Sequence, residues 1–180
     1  LYGVFDIKLR NIHALKEEES PTYLPLLLKE SVQIFQNDKN QKYITENNSD
    51  FLQETGLLKV FMHNDSFLKP PLLSKCKYDF WSGSLKSITP LRYNLNFRNY
   101  FYLTNGKANI KLIPPKNTKY LYAYHDYENF EFISPINPWD IEPKYKSNFS
   151  KVKSLDVTLT PGDILQIPAY WWYSIQYESI

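Results

Sequence analysis

Short stretches in which apolar and polar residues alternate, separated by turn residues, dominate the chain after Gly56. A period of two is typical of strands that have one buried face. Asn105-Gly106 favours a tight hairpin turn between two of these stretches, and Pro161-Gly162 favours a second turn. The pattern predicts strands over residues 57–63, 100–104, 107–113, 119–125, 155–160, 163–168 and 171–177.

Helical patterns are short and lie near the start of the chain. Residues 11–20 predict one or two turns, and residues 48–55 predict a helix that Gly56 ends. Many short strands with few helices are typical of a sandwich or jelly roll. We therefore predict an all-β fold with short N-terminal helices. In it, an N-terminal segment over residues 1–56 packs on a strand-built domain over residues 57–180.

The composition describes a folded chain without a strong field of either sign. Of the 180 residues, 43% are hydrophobic and 17% aromatic, and the formal net charge is +2. This balance provides no basic field that would attract nucleic acid. The single cysteine, Cys76, has no partner for an internal disulfide. No apolar run approaches the roughly 20 residues of a membrane span. Because the chain begins at Leu1, a signal, an anchor or a further domain could precede it.

Three segments carry a likeness to a known family. They read FWSGSLKSITPLRYNL at residues 80–95, GKANIKLIPP at 106–115 and LTPGDILQIPAYWWYSI at 159–175. In order and spacing they resemble the motifs of the JmjC-like cupins, of the asparaginyl and lysyl hydroxylase type. The resemblance covers roughly residues 57–177. It implies a double-stranded β-helix, which is a jelly roll of two facing antiparallel sheets.

The resemblance also implies a metal site whose ligands are substituted in this chain. The family holds Fe(II) with a His-x-Asp pair and a later His, and leaves positions for 2-oxoglutarate and oxygen. Here Arg92 and Asn94 stand at the His-x-Asp positions, and Tyr173 stands at the later His. A guanidinium offers no lone pair, the Asn amide is uncharged, and a phenol is neutral at pH 7. The sequence therefore predicts that no metal and no cofactor is bound at these positions.

The cosubstrate site implied by the resemblance is also incomplete. Ala108 stands where the family has the lysine that binds the cosubstrate carboxylate, and Lys107 precedes it by one residue. Thr89 matches the family threonine. A vestigial pocket could therefore remain around Thr89, Lys107 and Trp171.

Two interpretations of the substituted positions stay open. Arg92, Asn94 and Tyr173 could form a repurposed pocket in which Arg92 binds an anion, or they could fill the core without a ligand. A relocated metal site could instead use His63, Asp65 and His125. The tryptophans Trp81, Trp171 and Trp172 could stack nucleobases, but the family pattern favours core packing for them.

We predict a non-catalytic cupin that acts as a structural or interaction module, with other proteins of a larger assembly as its partners. A preference for Lys over Arg and many Asn, Ile and Tyr residues indicate an AT-rich genome. The resemblance also extends to cupins of large DNA viruses. The specific prediction is a minor virion or capsid component, either intracellular or in the virion. The alternatives are an Fe(II)/2-oxoglutarate hydroxylase with relocated ligands and an anion-binding module that uses Arg92.

Overall fold

Antiparallel strands dominate the structure, a computed structural model that describes residues 2–13, 22–128 and 130–179. The strands are β1 Asp6–Asn11, β2 Tyr23–Leu27, β3 Tyr43–Thr45, β4 Ser82–Gly83, β5 Leu91–Arg92, β6 Arg98–Tyr102, β7 Lys107–Ile113, β8 Tyr124–Asp126, β9 Glu131–Ser134, β10 Leu155–Leu159, β11 Ile164–Pro168 and β12 Trp172–Ser179. The α-helices are α1 Leu28–Asn37, α2 Ser49–Glu54, α3 Leu57–Asn64 and α4 Lys146–Phe149, with 3-10 turns at Ser66–Leu68, Pro115–Tyr120 and Pro143–Tyr145. Among the described residues, no helix has the length and apolar character needed to cross a membrane.

The chain divides into two compact units, residues 1–84 and 85–180. In the first unit the sheet order is β2-β1-β3-β4, and Ile7 and Leu9 of β1 pack with Phe35 of α1. A buried ion pair crosses this sheet, because the Arg10 guanidinium lies 2.5 Å from the Glu46 carboxylate. The prediction of a separate N-terminal segment over residues 1–56 stays a prediction.

The second unit contains the facing sheets that the sequence predicts. One sheet has the order β10-β7-β12-β5-β9-β8, and the other pairs β11 with β6. The Phe101 ring of β6 contacts the Tyr173 ring of β12 at 5.2 Å between centroids, so the two sheets pack on each other. The all-β, jelly-roll fold class is thereby confirmed.

The two faces of the six-stranded sheet have different neighbours. Ala108, Ile110 and Leu112 alternate along β7 on the inner face, which lies toward β6 and β11. The outer face buries Ile113 and Trp172 in a second cluster, together with Leu91, Leu121, Ile136 and Tyr145. Successive residues of β12 therefore point alternately to the inner face and to the outer face of the sheet.

Several predicted elements are confirmed, and three are wrong. The strands at 155–160, 163–168 and 171–177 and the helix at 48–55 are present within a residue or two of their bounds. Residues 57–63 form α3 instead of a strand. Residues 119–125 comprise the end of a 3-10 turn, a bend at 121–123 and the first two residues of β8. Residues 14–20 of the predicted first helix lie outside the described residues.

The predicted hairpin around Asn105-Gly106 is also wrong. β6 pairs with β11, whereas β7 pairs with β10 and β12. Gly106 has a φ of 77°, so a tight turn does form, but it carries the chain from one sheet to the other. A local turn signal identifies the bend and leaves the pairing partners of the flanking strands undetermined.

Candidate functional site

The three positions that the motif resemblance matches to metal ligands lie together inside the second unit. Tyr173 of β12 lies directly opposite Arg92 of β5 in the sheet register. Asn94 is two residues further along, so it lies on the same side as Arg92. The Asn94 Nδ2 atom donates a hydrogen bond to Tyr173 Oη at 3.0 Å. The structure therefore assembles the constellation that the motif spacing predicts, with different side chains in it.

Side chains from the facing sheet close this interior around Tyr173, which is only 1% exposed. The Phe101 ring packs against the Tyr173 ring at an interplanar angle of 60°. Asn99 Oδ1 lies 3.5 Å from Asn94 Nδ2, and Asn99 Nδ2 donates to the carbonyl of Ile167 at 3.2 Å. A hydrogen-bonded network thus links β12 to both strands of the smaller sheet.

The donor set at these positions does not fit Fe(II). The Arg92 guanidinium is a cation without a lone pair, and it would repel a second cation. Asn94 turns its amide nitrogen, not its oxygen, toward Tyr173. The Tyr173 oxygen already accepts that hydrogen bond, and a neutral phenol is a weak ligand. This arrangement therefore does not support oxygenase chemistry at these positions.

The strand position that the resemblance matches to the cosubstrate lysine is occupied by an uncharged residue, Ala108. Ala108, at the position of the family lysine, is 3% exposed and lies between Leu159 and Tyr177 of the flanking strands. Lys107 precedes it on the strand, so its side chain faces the opposite side of the sheet. Ala108 places a methyl group where an ammonium would be required.

Thr89, the one retained residue of the cosubstrate type, is committed to strand pairing. Its Oγ1 accepts the Ile175 N–H at 2.9 Å, and its own N–H donates to the Ile175 carbonyl at 2.8 Å. Ser174 Oγ donates to the Thr89 carbonyl at 2.7 Å. These three bonds fasten the segment before β5 onto β12, which gives Thr89 a structural role.

The pocket predicted around Thr89, Lys107 and Trp171 is not gathered in one place. Thr89 lies beside Ile175, whereas Lys107 pairs with Ser179. Four residues of strand separate those partners, a distance of about 13 Å at ~3.3 Å per residue. The pocket stays a prediction, and Thr89 and Lys107 lie beside different positions of β12.

The relocated metal set has a different geometry from the one expected. His63 lies in the last turn of α3 and Asp65 directly follows the helix, whereas the sequence predicts a strand that ends at residue 63. Residues two apart on a helix point in nearly opposite directions, unlike residues two apart on a strand. The predicted strand that was to carry this set is therefore wrong, and the relocated metal site itself stays a prediction.

Asp65 also has two partners of its own. It accepts a hydrogen bond from Tyr78 Oη at 2.6 Å and lies 2.6 Å from Lys69 Nζ. Burial would raise the pKa of this carboxyl, but the bonds from Lys69 and Tyr78 outweigh burial and lower it. His125 lies in the other unit. Over residues 2–13, 22–128 and 130–179, no group of three or more His, Cys, Asp or Glu side chains could hold a metal ion.

The tryptophans differ in their environment. Trp172 is fully buried in the outer-face cluster, where its Nε1 donates to Thr118 Oγ1 at 2.8 Å. Trp81 is half-buried and donates its Nε1 hydrogen to Asp79. Core packing therefore describes Trp172, as the family pattern indicates.

An aromatic surface escaped the sequence analysis. Six rings, here called the aromatic cluster, form a connected set with centroid distances of 4.8 to 6.2 Å. They are Tyr93, His125, Tyr127, Phe132, Tyr170 and Trp172. The strand register places Phe132 and His125 opposite each other, a pairing that the sequence alone does not reveal. In the sequence, only the high aromatic content of 17% hinted at such a cluster.

Comparison with known proteins gives the family. The sequence matches the cupin-like domain over residues 7–179, which is almost the whole chain. This protein belongs to the cupin-like domain family. The match also includes residues 7–56, which the motif resemblance left out, and it confirms the JmjC-like cupin prediction.

Curated relatives of this cupin-like chain include three kinds of protein. HSPB1-associated protein 1 of Rattus norvegicus is 32% identical over 97 residues, 53% of this chain and 20% of the relative. Jumonji C domain-containing protein 5 of Drosophila melanogaster is 29% identical over 99 residues, 55% of this chain and 24% of the relative. Lysine-specific demethylase JMJ31 of Arabidopsis thaliana is 24% identical over 138 residues, 73% of this chain and 24% of the relative. The matched regions thus span about a fifth to a quarter of these relatives.

Proposed function

We propose that this cupin-like chain is a non-catalytic module that serves as a structural or protein-interaction element. The observation that carries the proposal is the Asn94–Tyr173 hydrogen bond at the former ligand positions. It joins two side chains that cannot replace a carboxylate and an imidazole as metal ligands. Ala108 supports the same proposal from the cosubstrate side, because it removes the ammonium that would bind a dicarboxylate.

The relatives are compatible with either role for a cupin-like domain. The name of the demethylase reports catalysis, and the name HSPB1-associated protein 1 reports association with another protein. Our proposal is that this chain associates with another protein and does not catalyse a reaction. The substitutions at Arg92, Asn94 and Tyr173 are the reason for that choice.

The test is the iron content of the purified chain after anaerobic incubation with Fe(II) and 2-oxoglutarate, followed by desalting. We expect near-zero iron in the wild-type chain. The positive control is the triple variant R92H/N94D/Y173H, which restores two imidazoles and a carboxylate and should retain iron. Close to one iron per wild-type chain would overturn the proposal, and so would succinate and CO2 formed once the desalted chain is supplied with fresh 2-oxoglutarate and oxygen. If that iron were lost in His63→Ala, the relocated-ligand hydroxylase would be the better description.

One alternative has a specific observation in its favour. Arg92 faces the same interior as Tyr173, so a small carboxylate or phosphate could pair with its guanidinium. Thermal unfolding with 2-oxoglutarate and with inorganic phosphate tests this alternative. A stabilisation in the wild-type chain that disappears in Arg92→Ala, with the fold intact, would favour an anion-binding module.

We also propose a specific assembly for this module. The Lys-, Asn-, Ile- and Tyr-rich composition supports a large DNA virus with an AT-rich genome as the source, and a minor virion or capsid component as the role. Quantitative mass spectrometry of purified particles would test it. A constant low copy number per particle would support the prediction, and absence from particles would contradict it.

A further inference from the structure

We propose that residues 114–122 and 143–154 form a docking surface for a short acidic segment of a partner protein. Four exposed lysines, here called the lysine cluster, would bind its carboxylates: Lys116, Lys119, Lys151 and Lys153. This surface lies outside the barrel interior, so the inference goes beyond the proposed function and does not depend on it.

The charge of these two segments differs from that of the whole chain. Together they contain six lysines and no aspartate or glutamate, whereas the whole chain carries a formal net charge of +2. Lys144 and Lys146 flank the cluster, and Lys144 Nζ already pairs with the Glu142 carboxylate at 3.2 Å. Asp156, the first carboxylate after these segments, pairs with Lys111 at 2.6 Å. Among the described residues, no carboxylate lies within 4.0 Å of a lysine ammonium of the cluster.

Apolar residues of both segments hold their backbone on the outer face of the six-stranded sheet. Leu121 and Tyr145 belong to the outer-face cluster, and Phe149 and Val152 pack against it. The lysines between these apolar residues are exposed. The barrel interior lies on the other side of the sheet. A surface held in this way by buried side chains is largely ordered before a ligand binds, which favours binding.

The 3-10 turn over Pro115–Tyr120 places two lysines of the cluster side by side. Side chains three residues apart are eclipsed on a 3-10 helix, so Lys116 and Lys119 are neighbours. Thr118 faces the sheet instead, where its Oγ1 accepts a hydrogen bond from Trp172 Nε1 at 2.8 Å. The turn therefore presents its lysines away from the sheet.

Tyr120 and Asn117 join this turn to the second segment. The centroid of the Tyr120 ring lies 5.0 Å from Lys119 Nζ and 5.7 Å from Lys151 Nζ. Asn117 Nδ2 donates a hydrogen bond to the Lys153 carbonyl at 3.1 Å, which places Lys153 beside the turn. The four lysines are thus gathered at one place on the surface. Neighbouring cations repel each other, so bound carboxylates would relieve that repulsion.

The rings beside the cluster favour an acidic peptide over a nucleic acid. Proteins bind single-stranded nucleic acid by stacking its bases on aromatic side chains. Here the Tyr120 ring is already covered by two lysine ammonium groups. The Tyr122 ring packs on Tyr145 at 5.1 Å, and its hydroxyl accepts a hydrogen bond from Asn148 at 2.6 Å. Four lysines match a short run of carboxylates, whereas the 19 acidic residues of the chain oppose a long polyanion that extends beyond the cluster.

The experiment is fluorescence anisotropy of a labelled octaglutamate peptide with the whole chain, and labelled octalysine is the matched control peptide. We expect saturable octaglutamate binding that weakens as salt screens the charges, and no octalysine binding. Each cluster lysine changed to glutamine should weaken binding about two- to fivefold, as for exposed ion pairs. The double variant Lys119→Gln/Lys151→Gln should weaken it about tenfold. The matched control, Lys75→Gln/Lys77→Gln, removes two exposed lysines of the first unit and should leave binding unchanged.

The result that supports the site is a loss of affinity in the cluster variants and none in the control. Circular dichroism of every variant would confirm that the fold is retained. Absence of octaglutamate binding by the wild-type chain would overturn the inference, as would equal losses in the two double variants. Tighter binding of octathymidylate, weakened by the cluster double variant, would also overturn it and make a nucleic acid the ligand. Iron content tests the interior separately, so either proposal can fail without the other.

Discussion

Replacement of Tyr173 by Phe tests whether the former metal site is a filled interior or an open pocket. The change removes only the hydroxyl oxygen that accepts the Asn94 Nδ2 hydrogen bond at 3.0 Å. The ring, its 5.2 Å contact with Phe101 and its burial are all retained. In a filled interior the amide loses its best acceptor, whereas in a hydrated pocket water would replace the lost oxygen.

The expected loss follows from that one bond. A net protein hydrogen bond contributes about 0.5–1.5 kcal/mol, and a buried donor that loses its acceptor costs about 1–3 kcal/mol. Asn94 is half-buried and keeps a longer contact of 3.5 Å to Asn99 Oδ1, so we expect about 1 kcal/mol. For a chain of this size such a loss lowers the Tm by about 2–4 °C. Tyr173→Ala also removes the ring and should cost about 3–5 kcal/mol.

Guanidinium unfolding followed by tryptophan fluorescence measures this loss. A Trp81→Phe background leaves Trp139, Trp171 and Trp172 as reporters, all of them in residues 85–180. A double-mutant cycle with Asn94→Ala isolates the pair, and we expect a coupling of about 1 kcal/mol. A coupling near zero, with no loss in Tyr173→Phe, would show that the interior is hydrated. The filled-barrel argument would then fail.

Two further predictions concern the unit formed by residues 1–84. Arg10→Met should destabilise it by about 3–5 kcal/mol, because Glu46, which is only 1% exposed, would remain as a buried charge without the Arg10 cation. Trp81 fluorescence during unfolding measures this, and R10M/E46L should lose less than R10M alone. Burial would raise the pKa of Asp38, but hydrogen bonds from Ser84 and from three backbone N–H groups lower it below 3.8. Its contribution is therefore present above about pH 4 and lost as the pH falls through the lowered pKa. Asp38→Asn should be less stable than wild type near neutrality and should lose less stability on acidification. Equal acid profiles would contradict this prediction.

Strand prediction succeeded where the local pattern alone determines the structure. Apolar and polar residues alternate along β10, and Gly162 adopts a φ of 99° at the predicted turn between β10 and β11. Residues 57–63 failed because a short apolar run fits a helix and a strand equally well. Leu57, Leu58 and Phe61 pack against the first-unit core at helical spacing, and that packing decides the element.

The interior site and the outer surface differ in how far the sequence predicts them. The positions of Arg92, Asn94 and Tyr173 follow from motif spacing, because residues two apart on a strand share a face. The aromatic cluster draws on residues 93, 125, 127, 132, 170 and 172. Neighbours in that cluster are set by the order of β12, β5, β9 and β8 in the sheet. Sheet order is a long-range property, so no local pattern contains it.

The family motif is recognisable here because several of its residues form strand pairings and turns that do not involve a metal. Thr89 is bonded to Ile175 by its hydroxyl and by its backbone, and Ser174 closes the same junction. Gly162 supplies a turn that a side chain would strain. Replacing these residues would disturb strand pairing in any cupin-like domain. The positions that the resemblance matches to metal ligands face the interior, where Tyr173 contacts the Phe101 ring and the Asn94 amide. If our proposal holds, a cupin-like barrel can lose its chemistry by substitutions at three inward positions while the sequence that builds the barrel is retained.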